Sequence, residues 1–533
     1  METIKSLGPE SNLLSETFLC CKKLSFWVVV CLLSILFFLP YFRPSLEYDF
    51  LSPDVAEGLY HVREFHLGRI PYKDIYNHHF LGYLLPLYFI EFLMPINAFI
   101  MGILAICFNV LTAFFNFKTA SLISSKNTAR ITALISVTFG WFSGWDGHVF
   151  NLQSFIILPL SLLIFMILKA SLLRCSTSFY LSAFVFSIIL TFDQRNIFFI
   201  LLLILPFLTT QKFRTLRYFT LFSLVSTAIP MFFLALFWHW ETLENFFDAT
   251  FIYPFIYRNF GLADPLYLRL KTLFWNAAKI ESFATISATI GFIFLLLFEK
   301  RRIVKLLIIT GLLSCFAYAS TGGRVYGNYV LVFAPFIAIL ISLAGYYPLL
   351  SPSKSPWKKM PIILLCVIIA SYSSTRLFHL FTSNSFIQEP ESISLTAGKF
   401  ISSVSKKDAD ILVWGYKPEI YLYSDRFSSF DEIGLISIAG ANFSSKEKKF
   451  QGINPKREAA FKSYLKKSPP DFFVYYSVKK ESKKTAGDLY QENFNLWQID
   501  YLRYLTNLIE KEYVMIKSFD WPAETVEIYQ KLN

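Results

Sequence analysis

Charge is what this chain has least of. Of its 533 residues only 17% are Asp, Glu, Lys or Arg, while 54% are hydrophobic; a soluble domain carries roughly 25% charged residues. That balance excludes an ordinary water-soluble fold and points to a polytopic membrane protein. Acids are the scarcer sign, 38 against 50 basic residues. In a membrane chain the surplus Lys and Arg marks cytoplasmic loops, so nucleic acid is not an expected partner. The seven cysteines are an odd number with no zinc-type spacing, and none lies beyond Cys366. The polar tail therefore has no disulfide staple. No small-residue cleavage site follows the first apolar run, which is expected to be a retained span. Neither an internal repeat nor a transporter-like pair of matching broken helices is present.

What is there is apolar sequence in long runs. About eleven segments meet the ~20-residue criterion, near 24–41, 96–117, 128–142, 150–168, 178–192, 196–210, 217–238, 280–298, 303–319, 326–347 and 360–375. The pair around "FDQRN" (192–196) is short, and reads as tilted halves or a re-entrant pair. With the N-terminus inside, the cytoplasmic segments collect most of the Lys and Arg, and the three short outer loops hold only Arg195 and Arg324. The positive-inside rule then puts the C-terminal region outside. That region alternates strand-like runs ("DILVW", "DFFVYYS", "EYVMIKSF") with helical ones near 456–467 and 496–511, the pattern of a small α/β domain. The expected fold is an α-helical polytopic membrane protein of about 11 spans with a C-terminal extracytoplasmic α/β domain. Its parts are a cytoplasmic N-terminus (1–23), a membrane domain (24–375, with an outer loop at 42–95) and the outer domain (376–533).

The polar residues at or near membrane depth gather on one side. They include Asp49, Asp54, Asp74, His78 and His79 in the first outer loop, then Asn151 and Gln153, Gln194 and Arg195, Tyr253 and Tyr257, and Arg324 and Tyr326. Ionisable groups near a bilayer are costly and commonly functional, so one outward-facing polar site is the simplest reading. In the first loop, Ser52-Pro53-Asp54 is a helix start, with a capping Ser, Pro at the first position and an acid in the first turn. Val55, Leu59 and Val62 form one apolar stripe, with Asp54, Glu57, Gly58, His61 and Glu64 on the other side. Gly68 ends the helix and Pro71 prevents its resumption. An amphipathic helix lying on the outer membrane surface is expected, followed by a largely apolar interfacial helix near 80–93. The bland alternatives are that Asp54 only complements the helix dipole and that the histidines and arginines anchor the interface.

These features together resemble the GT-C superfamily of integral-membrane glycosyltransferases. The nearest likeness is to the branch of dolichyl-phosphate-mannose protein mannosyltransferases and bacterial aminoarabinose transferases. "GRIPYKD" (68–74) is similar to that branch's Gly-x-x-Pro-Tyr-x-Asp turn, fourteen residues after Asp54, and "NHH" (77–79) to the His segment that follows. "WDGHVFNLQSF" (145–155) resembles an Asn-x-Glu segment with Gln153 in place of the acid, and "FDQRNIFF" the entry to a later span. "GGRVYGNYVLVFAP" resembles a Gly-Arg-x-Tyr-x-His-Tyr segment with Asn328 at the usual His, and "DILVWGYKPEIYLYSDR" the start of the outer domain. The chain departs from the pattern where Val55 follows Asp54 in place of a second acid, and where Phe80-Leu81 replaces Pro-Pro.

The resemblance implies an enzyme that takes a sugar from a polyprenyl phosphate and gives it, with inversion, to a lipid, glycan or protein acceptor outside the cytoplasm. Such a displacement needs a carboxylate base, here Asp54, with Asp74 positioning sugar or acceptor and Asp49 as the alternative base. It also needs cations for the leaving phosphate, here Arg195 and Arg324. The remaining outward-facing residues would bind substrate, and membrane lipids would surround an apolar groove for the polyprenyl chain. No organic cofactor is implied, and a divalent metal is left open. A bacterial cytoplasmic (inner) membrane is the expected location. Two other classes stay open: a ligase or polymerase of lipid-linked glycans with similar architecture, and a multi-pass transporter.

Overall fold

The computed structural model describes residues 24–37, 52–139, 151–256, 282–321, 327–347, 392–433, 454–478, 499–521 and 524–532, with the single positions 267, 271, 275 and 435. The last expected span, 360–375, and candidates Asp49, Tyr257, Arg324 and Tyr326 lie outside the described residues.

Helices occupy the other expected spans. α1 (Leu24–Phe37) precedes α2 (Pro53–His66), α3 (Leu84–Leu93), α4 (Ala98–Ile123), α5 (Lys126–Phe139), α6 (Leu152–Leu173) and α7 (Ser176–Leu190). Five described helices are long and apolar enough to cross a membrane by length and composition: α4, α6, Leu216–His239, Arg302–Thr321 and Asn328–Tyr346. The segment after "FDQ" is not one regular helix. It runs as a 3-10 stretch (Gln194–Phe199) and two short helical pieces, Ile200–Leu203 and Leu205–Thr209.

Buried polar side chains tie the helices where little hydrophobic driving force acts between them. Asn109 Nδ2 donates to the Val137 carbonyl (3.1 Å), Asn116 Nδ2 to Ser136 Oγ (3.0 Å) and Thr132 Oγ1 to Ser342 Oγ (2.7 Å).

The C-terminal region forms a mixed four-stranded sheet, ordered β1 (Ile411–Trp414), β2 (Phe472–Val478), β4 (Glu524–Lys531), β3 (Tyr513–Asp520). β1 and β2 are parallel, with Ile411 opposite Phe472, and the other pairs are antiparallel. Both faces of β1 are covered. Ile411 and Val413 join the main core with Ile401 and Tyr421, while Leu412 and Trp414 pack with Phe461 and Leu465 of the helix Pro455–Lys467. The three anticipated strands are present; β4 is an addition, as are the helices Ile393–Val404 and Glu419–Ser424.

α2 has the expected bounds, with Pro53 in the first turn and Gly68 at φ +80° just beyond its end, but Ser52 at the cap position makes no side-chain capping hydrogen bond. Its surroundings correct the expectation of a surface helix with one wet side. The apolar stripe is buried, and so are His61 and Glu64 of the polar stripe, at 1% and 2% exposure. The outer domain closes over that polar side. Tyr60 packs on Tyr421 and Phe427 (ring centres 5.1 and 5.6 Å apart), and its hydroxyl accepts from the Ser428 amide at 2.9 Å. Arg63 Nη1 donates to the Leu422 carbonyl (3.3 Å), and the Tyr76 amide to the Asp431 carbonyl (2.7 Å).

Candidate active site

The acids lie at the start of α2. Asp54 and Glu57 are three residues apart, hence on one helix face, and a single residue of the outer domain meets both. The Tyr416 hydroxyl lies 2.9 Å from Asp54 Oδ1 and 2.7 Å from Glu57 Oε2. It has one proton and serves two carboxylates. Asp54 is exposed and Glu57 partly buried. Behind Glu57 sits His61, with Nε2 3.6 Å from Glu57 Oε1 and Nδ1 2.9 Å from Glu64 Oε2; Glu64 in turn accepts from Arg69 Nη1 at 2.6 Å. Burial works against charge on His61, but the bonds to Glu57 and Glu64 outweigh it and push its pKa up to about 9. Asn77 Nδ2 lies 3.1 Å from His61 Nε2. Burial likewise raises Glu57, yet the hydrogen bond and charge of His61, helped by Tyr416, hold it below the usual carboxylate range.

A short strap, 77–79, runs from these acids to a second cluster. Asn77 Nδ2 donates to Glu57 Oε1 (3.2 Å), and its Oδ1 accepts from the His79 amide (2.8 Å). Just beyond the strap, the chain meets Thr191 closely because residue 82 is glycine. Gly82 donates its N–H to the Thr191 carbonyl at 3.0 Å, and a Cβ there would overlap both the backbone and side chain of Thr191. The preceding turn is held by packing. Tyr72 takes a left-handed φ of 62°, its ring is edge-on to Phe237 and Phe246, and its hydroxyl donates to the His79 carbonyl at 2.9 Å. Burial lowers the pKa of both strap histidines, to about 3 for His78, where His79 adds to the effect, and to about 4 for His79. Both are neutral near pH 7, each with one donor and one acceptor nitrogen.

The second cluster centres on Arg195. Asp193 is fully buried and grips it from two sides, with Nε at 2.9 Å and Nη2 at 2.5 Å. The guanidinium stacks between Tyr318 and Tyr329, 4.5 and 4.2 Å from the ring centres. Its Nη1 is buried with no hydrogen-bond acceptor among the described residues. A buried, charged donor with an open N–H is a ready anion contact. His79 Nδ1, 4.0 Å from Asp193 Oδ2, is also without a partner. Nearby, Gln194 Nε2 reaches the His78 carbonyl at a long 3.5 Å, and Tyr253 is buried with its ring centre 6.2 Å from that of His78.

Of the residues singled out from sequence, the structure thus brings together Asp54, His78, His79, Gln194, Arg195 and Tyr253. Asp74 stands apart. Its Oδ2 accepts from the Ile70 amide at 2.8 Å, closing its own turn, and the residue lines a different cavity. Asn151 caps α6, its Oδ1 accepting from the amides of Gln153 and Ser154 at 3.1 and 3.2 Å. Gln153 Oε1 accepts from Asn328 Nδ2 at 3.3 Å. The two places where the resembled motifs carry an acid and a His are therefore in contact here, as a neutral amide pair. Among the described residues no three His, Cys, Asp or Glu side chains converge as a metal site. His61, Asn77, Tyr318, Tyr329 and Tyr416 were not among the sequence candidates for the site, and Glu57 and Asp193 lay among the outward-facing polar residues without an assigned role. The i, i+4, i+7 spacing of Glu57, His61 and Glu64 was a legible signal; Tyr416 had none.

A bundle of apolar helices with an outer α/β layer closed over a first-loop helix is a fold that this chain shares with solved membrane-protein structures. No protein-family model matches the chain, and no curated protein matches it at a significant level. Among solved structures it is similar to ArnT from Cupriavidus metallidurans bound to undecaprenyl phosphate, with TM-score 0.59 and 11% identity over 95% of this chain and 98% of that one. It is also similar to the oligosaccharyltransferase of Archaeoglobus fulgidus in complex with Zn and sulfate, with TM-score 0.51 and 12% identity over 84% of this chain and 67% of the other.

Proposed function

We infer that the chain is a membrane glycosyltransferase that moves a sugar from a polyprenyl phosphate to an acceptor outside the cytoplasm, with inversion at the anomeric carbon. One observation carries this reading. The strap 77–79 joins an acid pair fixed by a tyrosine at one end to a buried cation with an open N–H at the other. The undecaprenyl phosphate in the ArnT structure supports a lipid-phosphate donor. In this reading the acceptor O–H gives its proton to Asp54 while its oxygen bonds the anomeric carbon. The carbon–oxygen bond to phosphate breaks, and its electron pair leaves on the phosphate. Arg195 Nη1 meets that developing charge. Glu57 adds a like charge beside Asp54, which favours proton uptake by the pair. The neutral His78 and His79 orient the sugar and phosphate through hydrogen bonds, and Asp74 belongs to the turn instead of the reacting centre. The N-terminus is cytoplasmic, and the outer domain covers the site from the extracytoplasmic side.

The test compares cells carrying wild type and Asp54→Asn at matched protein levels, by mass spectrometry of lipid-linked sugars and surface glycoconjugates. Loss of one sugar-sized mass from an acceptor, with build-up of its polyprenyl-phosphate donor, is the expected result. Loss of a whole oligosaccharide would instead point to block transfer. Identical spectra from a folded variant would remove Asp54 from the chemistry.

A further inference from the structure

The reading above leaves one polar cavity unused. It has a volume of about 570 Å³, inside the roughly 300–1,000 Å³ of small-molecule sites. Its walls come from two parts of the chain: the 69–74 turn after α2, and the outer domain through 429–431 and the helix Pro455–Lys467. Three cations line it, and they are not equivalent. Arg457 is committed, bidentate to Asp431 (2.8 Å for Nη1) and stacked 4.0 Å from the Tyr76 ring centre. Arg69 makes its bonds through Nη1 alone, to Glu64 and to the Ser428 carbonyl (2.7 Å), so Nε and Nη2 meet no acceptor among the described residues. Lys73 is exposed and pairs with no described residue. Asp74 uses Oδ2 on its own turn and leaves Oδ1 open. Phe430 and Tyr464, with ring centres 5.2 Å apart, supply an aromatic wall.

This combination selects against simple ligands. A bare anion would meet the Asp74 carboxylate and gain nothing from the aromatic wall. A neutral apolar ligand would leave the Lys73 ammonium, and the Nε and Nη2 donors of the Glu64-paired Arg69, without an acceptor. A sugar bearing one negative group satisfies all of it: the anion on Lys73 and Arg69, hydroxyls on Asp74, and the ring face against Phe430 and Tyr464. We propose that this cavity is a binding site for an anionic saccharide unit, a sugar phosphate or a uronic acid, of the acceptor glycan. The assignment to the acceptor rests on the transferase reading. The cavity lies along α2 from the acid pair, roughly 15–20 Å at 1.5 Å per residue, a span that a few sugar units cover. It is built partly by the same outer domain that supplies Tyr416.

The test titrates the full-length protein in detergent, by calorimetry, with glucose 6-phosphate, galacturonic acid, glucose and inorganic phosphate. Either or both of the anionic sugars should bind at least tenfold tighter than glucose and than phosphate alone, and the difference between them identifies the anion. Lys73→Glu should weaken that binding at least tenfold, Ala460→Trp should block it by filling the cavity from an exposed helix position, and Asp54→Asn should leave it unchanged. Equal binding of glucose, equal binding of bare phosphate, absence of binding, or indifference to Lys73→Glu overturns the proposal. The two readings fail separately. If Asp54→Asn abolishes transfer while probe binding ignores Lys73, only the cavity proposal falls. If probe binding follows Lys73 while Asp54→Asn leaves the surface glycans unchanged, the cavity stands as a saccharide site and the part of the transferase reading that falls is the role of Asp54.

Discussion

Replacing Tyr416 by Phe removes one oxygen from the site and little else. The ring keeps its packing, and the outer domain stays docked on α2 through the Tyr60–Ser428 and Tyr76–Asp431 bonds. What is lost is a hydroxyl shared between Asp54 and Glu57. Its one proton serves one acid at a time, and the exposed Asp54 side is counted as contributing nothing. The bond to the partly buried Glu57 remains, and a hydrogen bond to a charged group is worth about 1.5–3 kcal/mol. Taking the lower part of that range, about 1.5–2 kcal/mol, the loss corresponds to a rate roughly 10- to 30-fold slower at 1.36 kcal/mol per tenfold. The pH dependence is more diagnostic. Tyr416 is one of the groups holding Glu57 low. Without it the folded-state pKa of Glu57 rises, and the acid limb of the rate profile moves to higher pH. The assay is the initial rate of sugar loss, in membranes, from the lipid-linked donor that accumulates in Asp54→Asn cells. A rate within twofold of wild type with an unmoved acid limb would refute the idea that the outer domain positions the acid pair.

Three further outcomes follow from the same geometry. His61 has a folded-state pKa raised to about 9 from 6.5, so its contribution, on the order of 3 kcal/mol, is fully present below pH 6.5 and is lost as pH rises through 9. Thermal unfolding of the detergent-solubilised protein should show Tm falling across that window, and His61→Gln should start lower and stay flat. Gly82→Ala should push the chain at residue 82, just beyond the strap, away from Thr191, reducing both Tm and transfer. An unchanged Tm would show that the close approach is not needed. Arg195→Lys keeps a charge but loses the planar grip on Asp193 and the stacking on Tyr318 and Tyr329. It should slow transfer at least tenfold and raise the donor KM, and wild-type kinetics in this variant would take Arg195 out of the phosphate site.

Much of the scaffold was legible because its signals are local. A run of about 20 apolar residues is a span whatever it packs against. Ser52-Pro53 and Gly68 delimit α2 through backbone constraints of their own. Three strands showed in runs of β-branched and aromatic residues, while β4, "ETVEIYQK", is interrupted by Glu524, Glu527 and Gln530 and lacks such a run. The candidate site was less legible. Asp54 and Arg195 stood out as ionisable groups near apolar runs, and the NHH segment as a motif. Asp74 is expected from its motif to position sugar or acceptor, and its carboxylate instead closes its own turn. The pairing of Gln153 with Asn328 is invisible in either segment alone.

By itself the amino-acid order determined that this is a membrane protein, that a polar first loop forms a helix, and that an α/β layer follows the bundle. Only the tertiary structure decided which face of that helix is wet. An amphipathic pattern records that two faces differ, not what covers the polar one. Here the outer domain covers it, buries His61 and Glu64, and brings Tyr416 onto Asp54 and Glu57 across more than 350 residues of chain. A contact made over that separation depends on how two folded parts meet, and a single tyrosine in a loop leaves no periodic trace of it.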